Sequence, residues 1–209
     1  MLVKIGVCLL IGYLLGCISF GYIVGKINHI DIREKGSGNV GATNTLRSLG
    51  WKAGLITFLG DGLKAIIPLF VMRFAFADLA PDWRLYALYL GLGVVLGHNF
   101  PFWMGFRGGK GISATAGVIL ALSDPRLTLT ALVLFIIVVA TTRYVSVGSL
   151  LVVLFLPLNV FLFWKDSPYF IHMMIVACVF TALGYIRHIP NIKRLLSGTE
   201  NKLGQKKEK

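Results

Sequence analysis

Seven apolar stretches divide this chain, and six of them approach or exceed the length that carries a helix across a bilayer. They run from Leu2 to Val24, Ala53 to Phe76, Leu85 to Met104, Ile112 to Leu122, Leu127 to Thr142, Val147 to Trp164 and Tyr169 to Ile186. A helix rises about 1.5 Å per residue, so a hydrocarbon core of about 30 Å requires about 20 apolar residues. The fourth stretch is too short alone. It crosses only if it starts earlier, near Gly108, or is a broken helix buried against protein. Charged residues make up 14% of the 209, against about 25% in a soluble domain. The expected fold is an all-α polytopic membrane protein with seven transmembrane helices, some short or broken. Residues 1–200 form a single integral-membrane domain and residues 201–209 a basic tail.

Charge orders these segments across the membrane. With the loop from Lys26 to Lys52 on the inner side and seven crossings, 15 basic residues fall inside and 5 outside, leaving Lys64 within the membrane. Six crossings would put a set of basic residues on the wrong side. Asp78, Asp82, Asp124 and Asp166 partly balance the outer set. The expected arrangement has the N-terminus outside and the C-terminus cytoplasmic, with a five-span fold whose middle segments are merged or re-entrant as the alternative. The formal net charge of +12 then follows from topology rather than from nucleic-acid binding. The tail from Lys202 suits anionic membrane lipids.

Cys8, Cys17 and Cys178 all lie in apolar stretches, which argues for packing rather than a disulfide framework or a zinc site. Leu14-Leu15-Gly16-Cys17 looks like a lipoprotein cleavage box. The apolar run continues past it through Val24, so an uncleaved first helix is expected.

Two glycine-rich loops carry the chemistry. The first, Gly36 to Arg47, reads GSGNVGATNTLR, and the second, Gly105 to Thr115, reads GFRGGKGISAT. Glycine lets the backbone approach a ligand closely and exposes N–H groups to phosphate. The first loop matches GxGxxG, but a dinucleotide fingerprint needs a preceding strand, and here membrane helices flank it. The second is not a P-loop, because Met104 stands where its first glycine belongs and Gly111 replaces the Ser/Thr that would hold magnesium. Ser37, Asn39, Thr43 and Asn44 add neutral donors, and Arg47 and Lys110 add charge suited to phosphate. His98 precedes the second loop and could be structural or functional. His188 and Asn191 lie at the end of the last apolar stretch and could bind a polyol, although Pro190 disrupts a simple helical face. Asp61 and Lys64, at i, i+3 in the second stretch, are intramembrane ionisable residues and so candidates for function, but the preferred reading is a structural mutual ion pair near the cytoplasmic end. His29 and His172 belong to no constellation.

The inner loops contain no paired carboxylates. No histidine is followed five residues later by aspartate, so the His-x4-Asp acyltransferase pair is missing. No Cys/His cluster or Asp-rich set suggests a metal, and no cofactor is expected.

GSGNVGATNTLR, GHNFPFWMGFRGGKGISAT and GYIRHIPNIKRLLSG together resemble the bacterial acyl-phosphate:glycerol-3-phosphate acyltransferase family, from the first helix to Glu200. The resemblance implies a seven-helix enzyme of the bacterial plasma membrane with its motifs facing the cytoplasm. It implies transfer of a fatty acyl group from acyl phosphate to the 1-hydroxyl of sn-glycerol 3-phosphate, giving lysophosphatidic acid and phosphate. Carried over by motif, Ser37, Gly38, Asn39, Thr43, Asn44, Gly108 and Gly109 cradle the acyl phosphate. Arg47, Lys110, Ser149, His188 and Asn191 hold the glycerol phosphate. Ser146 is the other candidate for the serine contact. Arg47, Lys110, His188 and Asn191 are the expected catalytic set. The missing carboxylate base fits a reaction in which the donor phosphate accepts the hydroxyl proton. A functional link to an enzyme that makes acyl phosphate is also implied. The competing reading is a transporter for a phosphorylated metabolite, which would place polar groups near the midplane and on both sides.

Overall fold

The structure, a computed structural model, describes residues 1–76 and 83–205. Asp78 and Asp82 and the tail residues 206–209 lie outside the described residues. The described chain forms ten α-helices: α1 (Leu2–Gly16), α2 (Phe20–Ile27), α3 (Ala42–Leu49), α4 (Trp51–Phe76), α5 (Trp83–Asn99), α6 (Ile112–Leu122), α7 (Pro125–Thr142), α8 (Val145–Val152), α9 (Phe155–Phe163) and α10 (Phe170–Leu196). Six helical stretches are long and apolar enough to cross a membrane, with α1–α2 and α8–α9 each counted as one, and α6 is the shorter apolar helix. The architecture is that of an all-α integral membrane protein. The first and sixth apolar stretches each break in the middle.

Glycines set the central contact. Gly12 and Gly16 on α1 face Gly93 and Gly97 on α5. A Cβ on Gly12 would lie 2.1 Å from the Leu90 carbonyl oxygen, and one on Gly97 would lie 2.1 Å from that of Tyr13. Two small-xxx-small pairs thus interlock, and the helices touch backbone to backbone. At the end of this seam Tyr13 Oη donates to the Phe100 carbonyl at 2.8 Å, and Trp103 Nε1 donates to the Cys17 carbonyl at 2.9 Å. The segment after α5 is therefore pinned to the break between α1 and α2.

That break exposes carbonyls inside the bundle, and Lys64 of α4 satisfies two of them. Its Nζ donates to Gly16 O at 3.0 Å and Ile18 O at 2.6 Å, and it pairs with Asp61 Oδ1 at 2.9 Å. The Asp61–Lys64 pair expected from spacing is present and also ties α4 to α1.

The second break has a different cause. Pro157 has no N–H to offer the carbonyl four residues earlier, that of Val153. Thr181 Oγ1 of α10 donates to this carbonyl at 2.7 Å, so the break is satisfied by a neighbouring helix. Pro190 does not end α10, which continues to Leu196 with both His188 and Asn191 buried. The tail does not begin as a detached strand. Leu203 N–H donates to the Arg143 carbonyl at 2.7 Å, and the Arg143 guanidinium donates to the Leu203 carbonyl at 2.8 Å.

Candidate functional site

The two glycine loops and the end of α10 meet around one cavity. Its wall includes Ser37, Asn39, Thr43, Asn44 and Arg47 from the first loop and α3. Lys110, Gly111, Ile112 and Ser113 come from the second loop and α6, and Ser146 and Ser149 from α8. His188, Asn191, Arg194 and Glu200 come from the C-terminal end. Phe58, Phe135 and Val145 also line it, so a strongly polar region adjoins an apolar one.

Two helix N-termini open into this cavity. Gly41, Ala42 and Thr43 begin α3, and Gly111, Ile112 and Ser113 begin α6. The first backbone N–H groups of a helix have no intrahelical acceptor and carry partial positive charge. Both ends favour an anion. Gly111 makes the entry to α6 possible: it sits at φ +80°, and a Cβ there would meet Asn99 Oδ1 at 2.7 Å.

Charge converges on the same space. Lys110 Nζ donates to Asn191 Oδ1 at 2.6 Å, Asn191 Nδ2 donates to Glu200 Oε1 at 2.7 Å, and Arg194 Nε donates to Glu200 Oε2 at 2.7 Å. This relay fixes the end of α10 against the second loop. Burial pushes the Lys110 ammonium down to about 8. Glu200 opposes that shift, while Arg194, Arg47 and Arg187 add to it. Arg47 lines the cavity with no ion-pair partner among the described residues.

His188 Nδ1 lies 2.7 Å from the Gly184 carbonyl. A carbonyl only accepts, so Nδ1 carries the hydrogen and Nε2 of the neutral ring is an acceptor. Ser149 Oγ donates to the Val145 carbonyl at 2.9 Å, whereas Ser146 Oγ is enclosed without a partner.

Several expected phosphate contacts have other work in this geometry. Gly108 and Gly109 do not offer free N–H groups, because they donate to the carbonyls of Asn99 at 3.1 Å and His98 at 3.0 Å. Their own carbonyls accept from Arg187, at 2.9 Å for Gly108 and as close as 2.8 Å for Gly109. Gly38 is exposed, and its N–H donates to the Lys35 carbonyl at 2.9 Å. Asn44 lines the cavity, but its side chain holds the first loop together. Oδ1 accepts from Ser37 N at 2.8 Å, and Nδ2 donates to the carbonyls of Lys35 at 2.9 Å and Ile32 at 3.2 Å. The N–H groups of these three glycines and the side-chain amide of Asn44 are thus engaged within the loops. The available donors are at Ser37, Asn39, Thr43 and the two helix ends.

Sequence reasoning missed Glu200 and Arg187. Glu200 is an acidic residue in a basic segment, and that sign reversal was the available signal. Arg187 reads as an interfacial anchor by composition, yet it staples α10 to the second loop.

Comparison with known proteins bears on the family and the fold. The family model described as "Glycerol-3-phosphate acyltransferase" matches residues 6–198. A glycerol-3-phosphate acyltransferase of Clostridioides difficile (strain 630) is 46% identical over 199 residues, covering 95% of each chain. One from Thermoanaerobacter pseudethanolicus is 44% identical over 201 residues, covering 95% of this chain and 96% of the relative. The crystal structure of PlsY (YgiH), an integral membrane glycerol 3-phosphate acyltransferase in its glycerol 3-phosphate form, superposes with TM-score 0.83. It is 36% identical over 96% of both chains. Its lysophosphatidic acid form gives TM-score 0.80 at the same identity, over 96% of this chain and 95% of that one.

Proposed function

The chain belongs to the glycerol-3-phosphate acyltransferase family, and on that premise we propose that it moves a fatty acyl group from acyl phosphate to the 1-hydroxyl of sn-glycerol 3-phosphate. The products are lysophosphatidic acid and inorganic phosphate. One observation carries the reading: a single cavity joins a phosphate-binding region, made by two helix N-termini with Arg47 and Lys110, to a region lined by Phe58, Phe135 and Val145. The two substrates require this combination.

In this reading Arg47 and Lys110 hold the glycerol phosphate anion, and Asn191, oriented by Glu200, sets Lys110. Ser37, Asn39, Thr43 and the free N–H groups of α3 and α6 receive the acyl phosphate. His188 Nε2 accepts a hydrogen bond from the glycerol 2-hydroxyl, which aims the 1-hydroxyl at the donor and leaves its hydrogen facing a donor phosphate oxygen, and Ser149 Oγ, at the cavity wall, is the serine contact. The oxygen attacks the acyl carbonyl carbon, the bond from that carbon to the phosphate oxygen breaks, and the phosphate leaves with the hydroxyl proton. Acyl phosphate is a mixed anhydride with a good leaving group, so proximity and electrostatic stabilisation are the main demands on the protein.

The proposed setting is the bacterial plasma membrane, with seven crossings, the N-terminus outside and the site facing the cytoplasm. Glycerol 3-phosphate then arrives from water and the acyl donor from the lipid side. An enzyme that makes acyl phosphate is the implied supplier.

Purified protein supplied with acyl phosphate and glycerol 3-phosphate, without nucleotide and with chelator, should form lysophosphatidic acid and phosphate in equal amounts. Failure with acyl phosphate alongside turnover of another acyl donor would overturn the donor assignment. Flux of glycerol 3-phosphate into proteoliposomes without acylation would indicate a transporter instead. The pH profile of His188→Ala tests the proton path. Loss of a limb near neutral pH in the variant would make histidine, not the donor phosphate, the base.

A further inference from the structure

His98, the penultimate residue of α5, has 4% of its surface exposed and lines the cavity. The roles assigned above do not use it. Its two ring nitrogens have different surroundings. Nδ1 lies 2.9 Å from Lys64 Nζ and 3.4 Å from Asp61 Oδ1. Lys64 Nζ is also held by the carbonyls of Gly16 and Ile18 and by Asp61 Oδ1, at 3.0, 2.6 and 2.9 Å. Two carbonyls and a carboxylate only accept, so the amine between them is an ammonium, which only donates. A hydrogen on Nδ1 would point at that ammonium. Three ammonium hydrogens serve four acceptors, so the one directed at Asp61 Oδ1 is shared with Nδ1, which lies closer to Nζ (2.9 Å) than to the carboxylate (3.4 Å); the ring is neutral, accepts at Nδ1 and carries its hydrogen on Nε2.

Nε2 has no hydrogen-bond partner among the described residues, and it is not one of the fully enclosed polar atoms. Gly109 explains how it reaches the cavity. A Cβ there would lie 2.0 Å from Nε2, so the absent side chain leaves room for the N–H edge. Gly109 N–H is itself bonded to the His98 carbonyl, which fixes the loop against the ring.

We propose that His98 Nε2–H is an additional donor to a phosphoryl oxygen in the cavity, with Lys64 and Asp61 as the positioning residues that fix its tautomer. The proposal rests on the acyl-transfer reading only for the identity of the anion. Glycerol 3-phosphate, acyl phosphate and released phosphate present the same oxygen chemistry. A neutral donor grips such an oxygen without adding a third charge to repel Arg47 and Lys110.

The first test needs no turnover. Wild-type protein labelled with 15N-histidine, in detergent micelles, reports the tautomer through two-bond nitrogen correlations. The signals are assigned by elimination with single variants of His29, His172 and His188. The expected result is an Nε2–H ring whose Nε2 resonance moves when inorganic phosphate is added. An Nδ1–H ring, a doubly protonated ring, or a resonance unmoved by saturating phosphate overturns the proposal. Because phosphate binding is read directly, inactivity of the wild type with acyl phosphate would defeat the acyl-transfer reading and not this one.

The second test is kinetic. His98→Asn keeps an acceptor for Lys64 and removes the cavity donor, whereas His98→Gln places an amide N–H near the Nε2 position. The expected result is a loss of about 10- to 100-fold in kcat/KM for Asn, the range of a hydrogen bond to a charged group. Most of that loss returns in Gln, with unchanged Tm in both. A rise in KM for glycerol 3-phosphate alone assigns the contact to the acceptor, and a rise for acyl phosphate alone assigns it to the donor. Wild-type rates in His98→Asn, or equal losses in both variants with lowered Tm, would overturn it.

Discussion

Gly97→Ala tests whether the α1–α5 seam sets the geometry of the site. The new Cβ would lie 2.1 Å from the Tyr13 carbonyl oxygen, 2.8 Å from Cys17 N and 3.0 Å from the Gly16 carbonyl carbon. All three are backbone atoms, so no rotamer change relieves the overlap. Restoring an ordinary separation of about 3.4 Å requires the helices to part by about 1.3 Å. Overpacking of this kind costs about 1–3 kcal/mol, and the better helix propensity of alanine offsets up to about 1 kcal/mol. Net destabilisation should therefore be modest, about 0–2 kcal/mol. Activity should suffer more, because Gly97 precedes His98 and the carbonyls that hold the second loop. A displacement of about 1 Å at a reacting site costs on the order of 100-fold in rate. The control is Gly6→Ala on α1, where a Cβ meets nothing within 4 Å. Thermal unfolding in detergent and kcat/KM for lysophosphatidic acid formation are measured for both. Gly6→Ala should match the wild type or gain slightly in Tm, while Gly97→Ala loses activity out of proportion to stability. Wild-type kcat/KM in Gly97→Ala would refute the argument that backbone contact fixes the site.

Arg47→Ala and Lys110→Ala should each lower kcat at least about 100-fold, on the scale of removing one preorganised electrostatic donor; near-wild-type rates in either variant remove that residue from the site. Burial depresses Lys110 to about 8, so its charge is present below that pH and lost above it. kcat/KM for glycerol 3-phosphate should fall as pH rises through that value, and Lys110→Arg should remove this alkaline limb because arginine stays charged; an unchanged limb in that variant would assign it elsewhere. Glu200→Gln weakens the support of Asn191 and breaks the pair with Arg194, and it should raise KM for glycerol 3-phosphate about 10-fold, in line with loss of one charged hydrogen bond. Unchanged KM with a lower Tm would limit Glu200 to folding.

The helical class was legible because apolar length is a strong local signal, and six stretches have it. The breaks were less legible. Nothing local at Cys17 to Ser19 stops a helix, and the break depends on Lys64, some 46 residues away, to satisfy its carbonyls. Pro157 was a visible breaker, but its remedy, Thr181, lies on another helix. Motif composition pointed to Arg47, Lys110, His188 and Asn191, and the structure brings all four to one cavity. It did not distinguish glycines that bare an N–H from those that leave room for a neighbour. Gly109 yields its space to the His98 ring, and Gly108 to the His98 carbonyl, which are long-range packing relations that loop composition does not encode. The interlocked glycines of α1 and α5 are visible as spacings, yet neither helix alone shows that they face each other.

The two regions of the cavity differ in compliance. At the region proposed to hold phosphate, donors are mounted on backbone that touches backbone, so thermal motion and substrate binding find little slack. Part of the apolar region is walled by Phe135 of α7, a helix with only 11% of its residues buried and its leucine-rich face turned outward. Such a wall leans on whatever surrounds it and can move without disturbing Arg47 or Lys110. A stiff mount for the headgroup beside a yielding wall for the tail is expected to hold the reacting atoms in one place while the chain behind them varies, and bilayer composition should alter the tail's fit before it alters the chemistry.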